Sequence, residues 1–364
     1  MLDKNQLAKQ LLAWWDEEHL SLPWRDNPDP YTIWVSEIMC QQTQITTVIP
    51  YFGRWMNRFP TVQTLADASL DDVLKLWEGL GYYSRARNLH AAAKLVVQEN
   101  EGQLPHTVPE LMVLPGIGRY TAGAIASIAF DQNVPALDAN VIRVLSRLTD
   151  LAEDITRGGT KTKLWKLAAT LVPDHRPGEY NQALMELGQQ LCLPATPKCP
   201  LCPLAEFCLA YERSTTGQRP VRPPRKQIPH YDVVAGVIWQ SREQSSTSRF
   251  LIARRPLDGL LGGLWEFPGG KLEPGETLAQ ALRREISEEL DLEITVGEQL
   301  AVVKHAYTHF RITLYAFHAR SNGGEPEHIG VAGHAWVSLA DLDKYAFAAA
   351  DRQIIASLNA QFSP

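Results

Sequence analysis

The stretch from Leu114 to Asn140 restricts this 364-residue chain more than any other. Leu114-Pro115-Gly116-Ile117-Gly118-Arg119-Tyr120-Thr121-Ala122-Gly123 reads as a tight turn opening a helix of small residues. Val134-Pro135-Ala136-Leu137-Asp138-Ala139-Asn140 then brings one carboxylate just beyond that helix. Pro115 stops the preceding helix, and Gly116 and Gly118 permit positive φ and close backbone approach, so the next helix begins with free N–H groups pointing outward. Such an end holds a phosphate without any side-chain charge. An ordinary corner between two helices fits the same pattern. Asp138 also has two readings. As the N-cap of a helix beginning near Asn140 it serves structure, and a carboxylate so placed stays ionised, which is what a charged catalyst requires.

Before residue 230 the chain is helical in pattern. Leu7, Leu11, Leu12 and Trp15 recur at helical spacing, in a helix ending near Leu22-Pro23. Further helices are expected at Tyr31 to Gln44, Leu70 to Gly79 and Arg85 to Gln98, separated by Pro and Gly. In the second of them Ile33, Trp34, Glu37, Ile38 and Gln41 share one face, which puts Glu37 on the apolar stripe. A carboxyl there loses solvent, its pKa rises, and it holds a proton near neutral pH. A Glu at the edge of the stripe, reaching to water or to an Arg, is the alternative. Gly79-Leu80-Gly81-Tyr82-Tyr83-Ser84-Arg85-Ala86-Arg87 sets paired aromatics among glycines and arginines, suited either to wedging Tyr82 into a base stack or to a small satellite core.

At 364 residues, with 45% hydrophobic and 21% charged side chains, two globular domains are expected. No run approaches the roughly 18 apolar residues of a membrane span, which excludes an integral membrane protein of that type and points to the cytoplasm. The net charge of −6 argues against a broad nucleic-acid face. It is unevenly distributed: residues 1–212 carry 18 basic against 24 acidic groups, 213–230 carry five basic and no acidic, and 231–364 carry 12 against 17. A local basic face is expected around Arg85, Arg87, Arg119, Arg143 and Arg147. The Pro- and Arg-rich stretch 213–230 reads as a semi-stiff connector able to lie along DNA.

Cys192, Cys199, Cys202 and Cys208 follow a Cys-x6-Cys-x2-Cys-x5-Cys pattern among prolines. Four cysteines in one short loop of a cytoplasmic chain read as a metal site, and their spacing alone suits zinc or an iron–sulfur cluster equally. Cys40 reads as plain core.

After residue 230 the pattern changes to α+β, with strands expected at Val233 to Trp239, Phe250 to Arg254, Leu300 to Lys304 and Arg311 to Phe317, and a helix from Leu278 to Leu290. Within it lies Gly270-x5-Glu276-x7-Arg284-Glu285-Ile286-Ser287-Glu288-Glu289-Leu290-Asp291-Leu292. Glu285, Glu288 and Glu289 stand at i, i+3 and i+4, where like charges repel unless a divalent cation such as Mg²⁺ bridges them. A solvated acidic face relieved by Arg283 and Arg284 is the other reading.

Taken together, Pro23-Trp24-Arg25, Trp34-Val35-Ser36-Glu37, Gln41-Gln42-Thr43-Gln44, Gly79 to Tyr83, Leu114 to Gly123, Leu137-Asp138-Ala139-Asn140, Asn181-Gln182-Ala183 and the four cysteines resemble the MutY adenine DNA glycosylases of the helix-hairpin-helix superfamily. The family usually has Gly where this chain has Ala139. The resemblance implies an all-α helix-hairpin-helix glycosylase domain over 1–212 with a 4Fe-4S loop at 192–208, a linker over 213–230, and an α+β Nudix-like domain over 231–364. It implies a monomeric enzyme of base-excision repair acting on double-stranded DNA, in which adenine opposite 8-oxoguanine or guanine is flipped out and removed.

By resemblance, Glu37 protonates the leaving base, Asp138 stabilises or briefly captures the sugar cation, and Tyr120 and Asn140 position them. Trp24, Arg25 and Gln182 form the base pocket, Gln42 and Tyr82 intrude into the duplex, and Gly116 and Gly118 hold backbone phosphate. Lyase members of the superfamily carry Lys where this chain has Tyr120, so base release without efficient strand scission is expected. Tyr307, Thr308 and His309 fall where the family reads 8-oxoguanine. The intact glutamates of the Nudix-like box also resemble the MutT pyrophosphohydrolases, which raises a second possible activity, Mg²⁺-dependent hydrolysis of 8-oxo-dGTP. Against it, Asp291 replaces a Gly of the box and Ala335 stands where a further carboxylate is expected; Asp351 is a candidate reader of a purine edge.

Overall fold

The computed structural model describes residues 3–25, 29–224 and 227–362. The chain forms two compact units, Met1–Asp67 with Asn88–Arg225, and Ala68–Arg87 with Lys226–Pro364. The helices in chain order are α1 (Lys4–Glu18), α2 (Pro30–Cys40), α3 (Ile45–Arg58), α4 (Val62–Ala66), α5 (Leu70–Trp77), α6 (Ser84–Asn100), α7 (Val108–Leu111), α8 (Arg119–Phe130), α9 (Ala139–Leu148), α10 (Gly158–Leu171), α11 (Pro177–Gln190) and α12 (Leu209–Glu212). Among the described residues strands begin at His230, as the lack of alternation before it predicts.

In the helical unit Leu7, Leu11 and Trp15 of α1 join Val141, Val144 and Leu145 of α9 and Leu184 and Leu187 of α11 in one core. α1 starts at an Asp3 cap accepting from the Asn5 and Gln6 amides. α2 ends at Cys40, four residues before its expected end, because Gln42 takes a left-handed backbone at φ 55° and breaks the ladder.

The second unit holds a six-stranded mixed sheet: β1 (His230–Trp239), β2 (Phe250–Arg254), β3 (Trp265–Glu266), β4 (Ile294–Ala306), β5 (Arg311–Ser321) and β6 (Gly333–Val337). Its order is β3-β2-β1-β5-β4, with β6 beside β2; β1 and β5 run parallel and the other pairs antiparallel. α13 (Leu278–Leu290) covers one face through Leu282 and Ile286, and α14 (Ala349–Phe362) covers the other through Ile354 and Leu358. A Thr277–Gln280 capping box starts α13. Asp291 ends it at φ 48°, so the position where the box has Gly does adopt the left-handed conformation, and Asp accommodates it.

The sequential division at residues 212 and 230 differs from these units in two ways. Residues 68–87 belong with the sheet: Lys75 Nζ donates to the Tyr345 carbonyl at 2.9 Å, the Phe347 amide donates to Glu78 at 2.8 Å, and Arg87 donates to the Gly262 carbonyl at 2.6 Å. In the expected connector, residues 213–221 pack on the helical unit. There Asp150 pairs with Arg213 at 3.3 Å and Arg219 at 2.8 Å, and the Ile155 amide donates to the Val221 carbonyl.

Candidate active site

α2 is buried on nearly every side, Tyr31 through Ser36 with Ile38 and Met39, rather than along one stripe. A helix apolar all round sits in the centre of its domain. Glu37 is therefore largely desolvated by the surrounding core, and it stands half-buried at the wall of a cavity of about 400 Å³ whose lining includes Trp15, Trp24, Arg25 and Gln182. Burial pushes the Glu37 carboxyl up to about 7; the Tyr120 hydroxyl pulls it down, and the negative charge of Asp138 adds to the rise.

Tyr120 lies in the first turn of α8. Its hydroxyl donates to Glu37 Oε2 at 2.7 Å and lies 3.2 Å from the Met185 sulfur. Burial, followed by the two neighbouring carboxylates, holds that phenol far above its ordinary pKa, so it acts as a donor only. The turn before α8 needs one of its two glycines for conformation. Gly116 has φ 78° and a Cβ there would stand 2.7 Å from Asn88 Cβ, whereas Gly118 is extended, with open space around it. Farther along α8, a Cβ on Gly123 would fall 2.3 Å from the Pro135 carbonyl oxygen. That close approach brings the segment ending in Asp138 against α8, and so towards Tyr120 and Glu37.

Asp138 is the N-cap of α9: its Oδ1 accepts from the Val141 amide at 2.7 Å and its Oδ2 from Asn140 Nδ2 at 2.7 Å. The simple expectation of an ordinary ionised cap changes here. Burial raises its pKa, and the cap amide, the Asn140 donors and Arg143 oppose that rise by stabilising the anion. Asn140 Oδ1 in turn accepts from Arg143 at 2.9 Å, and Arg143 also donates to the Cys192 carbonyl at 2.8 Å and the Gly188 carbonyl at 2.7 Å. Ala139, the departure from the family pattern, is exposed, and its methyl points into no packed space.

On the opposite side of the pocket Arg25 donates from Nε to Gln182 Oε1 at 3.0 Å and pairs with Glu186 at 2.8 Å, its guanidinium over the Trp15 ring. Trp24 packs edge-on against Phe52. Sequence reasoning missed Met185, Glu186 and the internal use of Arg143. The signal available for Glu186 was its position one helical turn after Gln182.

Most of the arginines expected at a basic face are spent on backbone carbonyls of their own unit. Arg85 donates to the Leu80 and Gly81 carbonyls, Arg87 to Gly262, and Arg147 to the carbonyls of Leu193, Pro194, Thr216 and Arg219. With Arg143 similarly engaged, four of the five arginines serve as internal struts, because a guanidinium is the side chain that satisfies several buried carbonyls at once. Arg119 lies over the Trp165 ring at 4.1 Å.

Cys192 follows α11, Cys199 opens a short 3₁₀ turn that ends at Cys202, and Cys208 ends a second such turn; all four are half-buried, and none is in a disulfide. Among the described residues, no three His, Cys, Asp or Glu side chains are arranged to hold a single ion. The four thiols are nevertheless within electrostatic reach of one another, and Arg147 donates to Cys192 Sγ at 3.2 Å. Burial, with the other cysteines adding to it, pushes Cys202 up to about 12, so thiolates here require a positive centre among them. The donor set fits an iron–sulfur cluster.

In the second unit Tyr307, Thr308 and His309 form the tip of the β4–β5 hairpin, closed by the Tyr307 amide donating to the Phe310 carbonyl at 2.9 Å. Thr308 and His309 are exposed, while the Tyr307 ring is packed between His305 and Phe310 at 4.6 and 4.7 Å. Tyr82, also left-handed at φ 47°, meets Thr308 hydroxyl to hydroxyl, and its neighbour Tyr83 is core.

The Mg²⁺ expected at Glu285, Glu288 and Glu289 has no support. Arg284 already bridges Glu276, Glu285 and Glu288 at 2.7, 3.1 and 3.2 Å, and Glu289 turns inward, where burial raises it to about 7. Asp351, the candidate purine reader, accepts from the Phe267 amide at 3.1 Å, and burial lifts it to about 6.

Helices meeting at a glycine hairpin, two half-buried acids, one of them lining a cavity, and a mixed sheet in the second unit define the class: a helix-hairpin-helix base-excision glycosylase carrying a Nudix-like domain. Residues 35–170 match the model of the HhH-GPD superfamily of base-excision DNA repair proteins, and residues 234–357 match the NUDIX domain. The chain is 37% identical to the adenine DNA glycosylase of Rattus norvegicus over 97% of its own length and 78% of that protein's. Against the adenine DNA glycosylase of Homo sapiens it is 37% identical, over 94% and 72%. The chain belongs to the adenine DNA glycosylase family. Among solved structures it is similar to a thermostable thymine-DNA glycosylase, with a TM-score of 0.52 and 27% identity over 58% of this chain and 97% of that one. No helix of the described residues is long and apolar enough to cross a membrane.

Proposed function

We propose that this chain removes adenine from duplex DNA where it stands opposite 8-oxoguanine or guanine, and that it does so as a monomer. The observation that carries the reading is the pair of dissimilar acids. Glu37 is protonated to about pH 7, and Asp138 accepts donors from the start of α9 and from Asn140 that favour its anion.

The flipped base enters between Trp24, Arg25 and Gln182. As the N-glycosidic bond breaks, its electron pair leaves with adenine and Glu37 gives that base a proton. The deoxyribose becomes an oxocarbenium-like cation, which the Asp138 carboxylate stabilises or captures. Water then adds to the sugar and its proton returns to Glu37. Tyr120 and Asn140 hold the two acids in orientation. With a phenol rather than an amine at position 120, no Schiff base forms, and the product is an intact strand with an abasic site.

Cys192, Cys199, Cys202 and Cys208 would hold a 4Fe-4S cluster, which when bound ties the 192–208 loop together. Residues 1–212 carry the chemistry and 231–364 read the opposite base, with Thr308 and His309 at the exposed hairpin tip. Tyr82 and Gln42 enter the duplex, and the turn of Gly116 and Gly118, with the first amides of α8 beyond it, meets phosphate, the Ile117 amide being held by the Leu114 carbonyl.

The test is incubation with end-labelled duplexes containing A opposite 8-oxoguanine, G or T. Adenine release from the first two, with strand breaks only after alkali, is expected. No release, or breaks before alkali, would overturn the reading.

A further inference from the structure

Arg25 has every nitrogen engaged. Nε donates to Gln182 Oε1 at 3.0 Å, one terminal nitrogen donates to the Leu20 carbonyl at 2.6 Å, and the other pairs with Glu186 Oε2 at 2.8 Å. Glu186 is the base of this arrangement. Its side chain is 2% exposed, and its other oxygen accepts from the Leu20 amide at 2.7 Å. Gln182 and Glu186 lie four residues apart on α11, so they project from the same face and together grip one guanidinium.

This grip has a chemical consequence for Gln182. Its amide is held in one of two orientations, because only its carbonyl oxygen can accept from Arg25 Nε. The NH₂ group therefore carries the remaining hydrogen-bonding capacity. One of its hydrogens reaches the Gly178 carbonyl at a long 3.4 Å, and the other, which meets no acceptor among the described residues, is left for whatever fills the pocket that Gln182 lines.

We infer that Glu186 is a positioning residue for base recognition: by anchoring Arg25 it fixes the Gln182 amide so that the pocket offers a donor to a hydrogen-bond acceptor on the flipped base. Adenine, with its unprotonated ring nitrogens, supplies such acceptors. A buried carboxylate is suited to the task because a guanidinium lacking its counterion would turn towards the pocket or towards water. The inference rests on the adenine-excision reading above.

Single-turnover adenine release is the measurement. Glu186→Gln keeps the shape and removes the charge. It should slow release by about 10²-fold, the scale of a misplaced pocket group, with affinity for a duplex containing non-hydrolysable 2′-fluoro-deoxyadenosine falling as well. Gln182→Leu should lose a similar factor, and the double variant should lose no more than the worse single. Arg25→Lys, which keeps a charge for Glu186 without the Nε donor, carries the same expectation and serves if Glu186→Gln does not fold. Wild-type rates in the variants, or multiplying losses in the double variant, would overturn the inference. Failure of the wild type to release adenine would instead remove the reading beneath it.

Discussion

Glu37 with Asp138 in the helical unit, and Glu285, Glu288 and Glu289 on α13, are both sets of neighbouring carboxylates, yet their surroundings send them in opposite directions. The first pair lies inside the protein, each acid with a different set of donors: Glu37 has one hydroxyl and a buried helix, and Asp138 has a cap amide and Asn140. On α13, Glu285 and Glu288 share one counterion, Arg284, with Glu288 59% exposed, while Glu289 turns inward away from it. Burial raises both acids of the first pair, but Glu37 has one donor where Asp138 has several that favour its anion, whereas Arg284 already neutralises Glu285 and Glu288. The comparison teaches that carboxylate spacing in a sequence is a weaker guide to chemistry than the partners that folding supplies.

The largest effect that would break this contrast belongs to Asp138. Asp138→Asn keeps the cap and removes the charge, and single-turnover adenine release should fall by about 10³-fold or more, on the scale of a lost electrostatic stabiliser. Duplex affinity measured by gel shift should persist. Tyr120→Phe comes next. It removes one donor to Glu37, and a loss of about tenfold in release is expected, on the scale of one hydrogen bond; a wild-type rate would show that Tyr120 positions nothing.

A stability effect follows. A carboxyl whose folded pKa lies above its unfolded one contributes stability that is complete below about 4.5 and lost as pH rises through about 7. At pH 8 ionised Glu37 therefore costs on the order of 3 kcal/mol. Glu37→Gln should raise the melting temperature by several degrees at pH 8 and by little at pH 5. Calorimetry that finds no difference between the two pH values would contradict the buried-acid account. The smallest effect is expected on α13: Glu288→Gln should leave adenine release unchanged, and millimolar Mg²⁺ should leave the thermal transition of the wild type where it is. A magnesium-induced rise would reopen the cation reading.

Much of the site was legible because it is local. Asp138 was expected to cap the next helix, and it does; the Leu278 to Leu290 helix and the Phe250 to Arg254 strand stand where periodicity put them. Long-range partners carried no local signal. Nothing in the spacing of Arg87, Arg143 and Arg147 distinguishes a surface face from internal struts, because the carbonyls that capture them come from distant segments. The association of residues 68–87 with the sheet was equally hidden, since it depends on Lys75 and Glu78 meeting the backbone of Tyr345 and Phe347 nearly 270 positions away. Gln42 and Tyr82 were singled out, but not their positive φ, because neither is Gly or Asn, the residues that advertise that conformation.

The most direct test of the account is the pH dependence of single-turnover adenine release. If Glu37 delivers its proton to the leaving base, the rate should be level below about pH 7 and fall about tenfold per pH unit above it. Glu37→Gln should be slow and flat across the same range. A wild-type profile that stays level to pH 9, or a falling limb that survives in Glu37→Gln, would contradict it.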